Sequence, residues 1–202
     1  MVKAKKIMVP LLAAVLTAGL SAGGTIAYFS YRNAVANRLS VGTNTIEISE
    51  DFTPPKVMNA GENTYKKTVK VKNTGTVSCF VRIYTAFSDS AVTEKSELSP
   101  DGTNFYPAAE YDKHLSDGWI YISEDENALL GGYYYWTGEL PVKKETDPLF
   151  KMVKTTFPTA ESVQDYEIIV YAESVQVLDK DGNKFAGADP WKQAWQEFLE
   201  RK

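Results

Sequence analysis

Short strand-like segments rich in apolar residues, several of them alternating between apolar and polar, recur along most of this chain and are separated by polar turns. Residues 45–48 and 68–72 alternate strictly, whereas residues 77–87 are apolar on both faces, as is typical of a central strand. Four later segments have strand character: 119–122, 132–137, 149–156 and 166–178. No long helical period separates them. The pattern predicts a mainly β protein, an antiparallel β-sandwich of jelly-roll or immunoglobulin-like type.

The polar stretches between these segments predict turns and one insertion. Asn73-Thr74-Gly75 suits a tight turn, so we expect segments 68–72 and 77–87 to pair as a hairpin. Residues 88–118 are rich in Pro, Gly, Ser and charges, which indicates a loop insertion within the domain. Residues 179–183 predict a later hairpin turn. Its acidic residues resemble the start of a calcium loop, but Lys184 and Pro190 stand where such a loop needs glycine and glutamate.

One helix is predicted, at about residues 190–201. Asp189 is a typical N-cap residue and Pro190 suits the first helical position. Apolar side chains then recur at helical spacing: Trp191, Trp195, Phe198 and Leu199. We expect this stripe to pack against the chain's own sandwich. The alternative is a partner surface formed by Trp191, Trp195 and Phe198.

The N-terminus has the features of an export signal. Lys3, Lys5 and Lys6 precede an apolar run at residues 7–20, and small residues follow at 21–24. This predicts an N-terminal signal helix that is cleaved between Ala27 and Tyr28, which leaves residues 28–202 as a single domain. The alternative is an uncleaved anchor, because apolar character continues to Phe29.

Charge and composition exclude several classes of function. Removing residues 1–27 leaves 19 basic and 26 acidic residues, a net charge of −7, which disfavours nucleic-acid binding. The 175 remaining residues can bury a core without disulfides. The lone Cys79 alternates with apolar residues, which predicts a buried small side chain and not a reactive thiol.

Few residues suit catalysis or metal binding. His114 is the only histidine and lies in a charged segment, so the sequence predicts no catalytic residue, no metal site and no cofactor. Residues 124–126 are acidic and predict a solvated turn, with weak calcium binding left open. The aromatic run at 133–136 could stack against sugars, but alternation in a strand places at least half of it in the core.

Two sequence blocks near the N-terminus resemble a known family. GGTIAYFS at residues 23–30, followed by VGTNTIEI at 41–48, resembles the TasA/camelysin group of exported Gram-positive proteins, whose signal peptides are cut by a SipW-type signal peptidase. The segment around residues 73–82 is similar to the group's xxNxGxxxxxVR pattern, and YAESVQ at 171–176 is similar to its late strand. The resemblance implies a jelly-roll-like fold, export to the cell surface and, in the best-known members, assembly into biofilm matrix fibres.

These observations together predict an exported structural protein of the cell surface or extracellular matrix, without enzymatic activity. The alternatives are a ligand-binding surface adhesin and a camelysin-like metalloprotease, because some members of the group have been described as metalloproteases. Before cleavage only the signal peptide contacts the membrane. After cleavage a free arm with apolar side chains could add itself to an edge strand of another copy and build fibres, or could fold back on its own sheet: Tyr28, Phe29, Tyr31, Val35 and Leu39.

Overall fold

A computed structural model describes residues 43–201, which form two antiparallel sheets and a C-terminal helix. The strands are β1 (Ile46–Thr53), β2 (Gly61–Asn73), β3 (Cys79–Phe87), β4 (Ser96–Ser99), β5 (Tyr106–Pro107), β6 (Trp119–Ile122), β7 (Tyr133–Trp136), β8 (Phe150–Phe157) and β9 (Ile168–Gln176). One sheet has the order β1-β2-β8-β4-β5 and the other β6-β7-β3-β9. The helix spans Pro190–Glu200. The mainly β prediction and the C-terminal helix are confirmed, whereas the signal helix lies outside the described residues.

The predicted hairpin at Asn73-Thr74-Gly75 is wrong, because β2 and β3 belong to different sheets. The buried Asn73 side chain stabilises the crossing. Its amide nitrogen donates to the carbonyl oxygens of Val77 and Leu140, at 2.8 and 2.9 Å, and its oxygen accepts from the Gly75 amide at 2.9 Å. These bonds satisfy backbone groups that a hairpin ladder would otherwise pair. The turn signal is real, but the chain changes sheet at this point.

The predicted loop at 88–118 contains ordered elements. A short helix (Ser90–Thr93), β4, β5 and a 3-10 helix (Ala108–Lys113) follow one another, and β4 lies between β8 and β5. The loop prediction is therefore wrong for β4. The sequence pattern missed this strand because its buried positions are polar. Ser96 and Ser99 are buried, and the Ser96 and Thr155 hydroxyls share a hydrogen bond of 2.8 Å.

Two apolar clusters stabilise the fold. The larger fills the space between the sheets and includes Val69, Val81, Ile83 and Phe150. The smaller lies between the outer face of the four-stranded sheet and the C-terminal helix: Phe80, Ile122, Leu130, Tyr135, Val175, Val177, Trp191, Ala194 and Trp195. Both faces of β3 are therefore covered over residues 79–83, whereas Tyr84 is exposed, and β3 lies inside its sheet, as its sequence predicts.

Within residues 43–201, no helix has both the length and the apolar character needed to cross a bilayer.

Candidate assembly surface

Strands β1 and β9 are edges of their respective sheets and approach each other at one side of the sandwich. No described strand pairs with the outer side of either one. Asn44, which precedes β1, joins the two edges, because its side-chain oxygen accepts a hydrogen bond from the Ser174 hydroxyl at 3.0 Å. Edge strands can accept a further strand through main-chain hydrogen bonds. This side of the sandwich is the candidate assembly surface.

The register of β9 shows which of its backbone groups point outward. The Ser88 amide donates to the Glu167 carbonyl at 2.8 Å, so Glu167 faces β3 and the next residue faces away. Cys79 agrees with this alternation, since it bonds Leu140 and not its β9 neighbour. Five residues of β9 therefore direct N–H and C=O groups away from β3: Ile168, Val170, Ala172, Ser174 and Gln176. The first four are at most 3% exposed, so this edge lies largely out of contact with solvent.

A buried ion pair joins β3 to β9 behind this surface. Arg82 and Glu173 are register partners and are only 3% and 4% exposed. The Arg82 Nε donates to Glu173 Oε2 at 2.7 Å, and Nη2 donates to the same oxygen. The Tyr171 hydroxyl donates to the other carboxylate oxygen at 2.9 Å. Burial, and next this bond to Glu173, raises the pKa of Tyr171 to about 12.

Aromatic rings enclose the Arg82 guanidinium. Its carbon lies 3.8 Å from the centroid of the Tyr133 ring and 4.3 Å from that of Trp195. Its Nη1 donates to the Tyr135 hydroxyl at 3.2 Å, and that hydroxyl donates to the Leu130 carbonyl at 2.6 Å. Both members of the ion pair have hydrogen-bond partners and are buried. The pair therefore stabilises the attachment of β9 to β3 and presents no reactive group to solvent. The sequence predictions missed it, although an arginine inside an apolar strand was a visible signal.

The C-terminal helix packs on the chain's own sandwich, as expected. Trp191 and Trp195 are 3% and 0% exposed, and Phe198 is half-buried with its ring 5.8 Å from Trp195. The alternative partner surface is therefore wrong for the two tryptophans, because both indoles belong to the chain's own core.

The remaining sequence candidates occupy structural positions. His114 is half-buried at the end of the 3-10 helix, with its ring stacked on Tyr106 at 3.8 Å. Cys79 is buried as predicted, and burial followed by the charge of Glu139 raises the pKa of its thiol to about 12. In the run at 133–136, Tyr134 and Tyr135 are both buried, in different apolar clusters.

The two acidic segments form turns. Residues 124–126 are exposed in a turn between β6 and β7. In the turn at 179–183, the Asp179 carboxylate accepts from the amides of Asp181 and Asn183, at 2.9 and 2.8 Å. The bond from Asn183 is the main cause of the lowered pKa of Asp179. The hairpin-turn prediction is confirmed. Among residues 43–201, no group of three or more His, Cys, Asp or Glu side chains could hold a metal ion.

Several predictions fall outside the described residues. These are the signal peptide at 1–27, the cleavage site between Ala27 and Tyr28, and the arm with its apolar side chains: Tyr28, Phe29, Tyr31, Val35 and Leu39. The described chain begins at Thr43, one residue before the Asn44 contact with β9. The first described residues therefore lie at the candidate assembly surface.

Comparison with curated proteins and with solved structures finds no match. A family model described as camelysin metallo-endopeptidase matches residues 2–104, just over half of the chain. The match extends from the N-terminal segment through β4 and includes the Asn73 crossing and Arg82. The TasA/camelysin resemblance is thereby confirmed, and the chain belongs to the camelysin metallo-endopeptidase family.

Proposed function

We propose that this chain is an exported structural protein of the cell surface or extracellular matrix, without enzymatic activity, that assembles through its N-terminal arm. A SipW-type signal peptidase would cleave after Ala27 and release the arm, residues 28–42. Membership of the camelysin family and the β-sandwich with two adjacent edges support this proposal. The arm would add as a strand to β9 of a neighbouring copy.

The observation that carries the proposal is the contact between Asn44 and Ser174. Asn44 is the second described residue, so an arm at residues 28–42 would begin next to the β9 backbone. Fifteen extended residues span about 50 Å, whereas the nine residues of β9 span about 30 Å. The arm is therefore long enough to reach beyond its own sandwich and cover a whole β9 edge.

Charge supports the same arrangement. The arm contains Arg32 and Arg38 and no acidic residue, whereas all 26 acidic residues of the chain lie within residues 43–201. A cationic arm is attracted to the acidic sandwich of another copy. Because donor and acceptor surfaces differ, each copy can donate to the next, and the contact propagates as an open filament.

The arm could instead lie along β9 of its own chain, and a truncation separates the two arrangements. We would compare protein starting at Tyr28 with protein starting at Ser40 by sedimentation and negative-stain microscopy. The longer form should give oligomers that grow with concentration, and the shorter form should stay monomeric. A control that replaces Phe29, Tyr31 and Val35 by serine keeps the arm length and should assemble poorly. Equal oligomers from both lengths, or monomers from both at high concentration, would exclude arm donation.

The family description raises metal-dependent proteolysis as a competing function. A catalytic zinc ion needs about three protein ligands. Residues 1–42 and Lys202 contain no His, Cys, Asp or Glu, and those within 43–201 form no group that could hold a metal. The residues of this chain therefore do not fit a zinc-protease centre. Chelator-sensitive cleavage in a broad protease screen would overturn the non-enzymatic proposal.

An adhesin remains a second candidate because of tyrosines on the outer face of the four-stranded sheet. Tyr84 is 40% exposed, its ring lies 6.0 Å from that of Tyr133, and Tyr171 is its register partner on β9. Adjacent aromatic rings can stack against sugars. Retention on insoluble polysaccharides that Tyr84→Ala abolishes, but the control Val57→Ala at another exposed apolar residue does not, would favour this function.

A further inference from the structure

A cavity of about 190 Å³ opens where β3, β4 and β9 meet the 3-10 helix Ala108–Lys113. Three buried side chains, Leu98, Tyr134 and Ile168, form its floor. Half-buried residues form its walls and mouth, among them Thr85, Phe87 and Thr93. The cavity lies within the sandwich and is distinct from the outward edge of β9.

The chemistry of the lining defines what could enter. None of its residues carries a charge; five of the eight are purely apolar, and Thr85, Thr93 and Tyr134 add hydroxyl groups. An empty apolar cavity deprives its walls of packing contacts, so an apolar guest of matching size is favoured. An engineered apolar cavity of about 150 Å³ in another protein holds benzene. A cavity of this size therefore suits a substituted benzene ring or an equally small aliphatic molecule.

Tyr134 supplies a polar group at the same place. Its side chain lines the cavity and is 9% exposed, and burial is the main cause of its raised pKa, so the hydroxyl remains a neutral donor at ordinary pH. Among the described residues, Trp195 Nε1 is the one fully buried side-chain nitrogen or oxygen atom without a hydrogen-bond partner, so the Tyr134 hydroxyl keeps contact with solvent or with a partner. A guest with one hydrogen-bonding group would replace that contact.

We propose that this cavity is a binding site for a small, uncharged, mainly apolar molecule that carries one hydrogen-bonding group. Carboxylates are excluded, because the lining offers no cation to offset the cost of burying a charge. The site is independent of arm donation: it uses side chains inside the sandwich, whereas the arm would use the backbone edge of β9.

The test is titration of the purified protein with p-cresol, followed by calorimetry and by NMR shifts of the cavity residues. Benzoate serves as the charged probe of similar size. We expect saturable one-to-one binding of p-cresol, with shifts concentrated at Leu98, Tyr134 and Ile168, and no binding of benzoate. Absence of saturable p-cresol binding, or shifts elsewhere in the protein, would overturn the proposal.

Matched variants locate the binding. Ala108 lines the cavity, whereas Ala109 is exposed beside it. Ala108→Phe should fill the space and weaken p-cresol binding at least tenfold, and Ala109→Phe should leave it within twofold. If Ala108→Phe does not fold, Thr85→Ile narrows the same cavity and keeps a β-branched residue in the strand. Equal affinity of the wild type and a folded cavity-filling variant would place p-cresol elsewhere and refute the site.

Discussion

Replacing Glu173 by glutamine would leave the Arg82 guanidinium buried without a counter-ion. Removing one partner of a buried ion pair costs roughly 3–5 kcal/mol, because the remaining charge stays desolvated. The glutamine carbonyl can still accept one hydrogen bond, so we expect a loss of about 3 kcal/mol, the lower end of that range. This is a large part of a typical unfolding free energy of about 5–15 kcal/mol. For a chain of this length, Tm should fall by roughly 6–12 °C.

Urea unfolding followed by tryptophan fluorescence suits this measurement, since Trp195 lies 4.3 Å from the Arg82 guanidinium carbon. Asp51→Asn is the matched control. It breaks the ion pair between Asp51 and Lys66, whose side chains are 61% and 49% exposed, respectively. The unfolding free energy should fall by less than about 1 kcal/mol. Replacing Arg82 and Glu173 together by methionine removes both charges and should recover much of the loss. Equal, small effects of Glu173→Gln and Asp51→Asn would refute the importance of the buried pair.

Three further outcomes are expected. Burial raises the pKa of the Cys79 thiol from 9.0 to about 12. As the pH rises, the unfolded chain therefore loses this proton before the folded chain does. Between those pH values, urea titrations should show the unfolding free energy of the wild type falling faster than that of Cys79→Ala, by about 1.4 kcal/mol per pH unit. Gly75→Ala should destabilise by roughly 1–3 kcal/mol in the same assay, because its Cβ would lie 2.3 Å from the Thr43 carbonyl oxygen, and an unchanged midpoint would contradict this. Intact mass of the exported protein should correspond to a chain starting at Tyr28, and a mass that retains Met1 would indicate an anchored protein.

Local sequence patterns correctly predicted those elements whose burial follows from the spacing of their own apolar residues. The two apolar faces of β3 indicated a strand covered on both sides, and its central place in the sheet is confirmed. The spacing of Trp191 and Trp195 indicated a helix with one buried stripe, and both indoles are buried. In these cases a period of two or of 3.6 residues is sufficient information.

Features decided by distant partners could not be predicted in this way. Asn73 signals a turn, but the crossing between sheets depends on its bond to Leu140, 67 residues away. Arg82 is visible as a charge in an apolar strand, but its partner Glu173 lies 91 residues further on. The cavity depends on elements from four parts of the chain. No short window of sequence contains such pairings.

The long separation between paired strands has a consequence for how the chain folds. Strand β2 pairs with β8 and β3 pairs with β9, over separations of between 81 and 97 residues. Neither sheet can be completed until β8 and β9 have been synthesised, and such distant pairings form slowly because long loops must close first. The N-terminal half alone can form little more than the β1–β2 pair. We therefore expect a nascent chain of this topology to fold only late in synthesis, and the export proposed above would require such an unfolded chain.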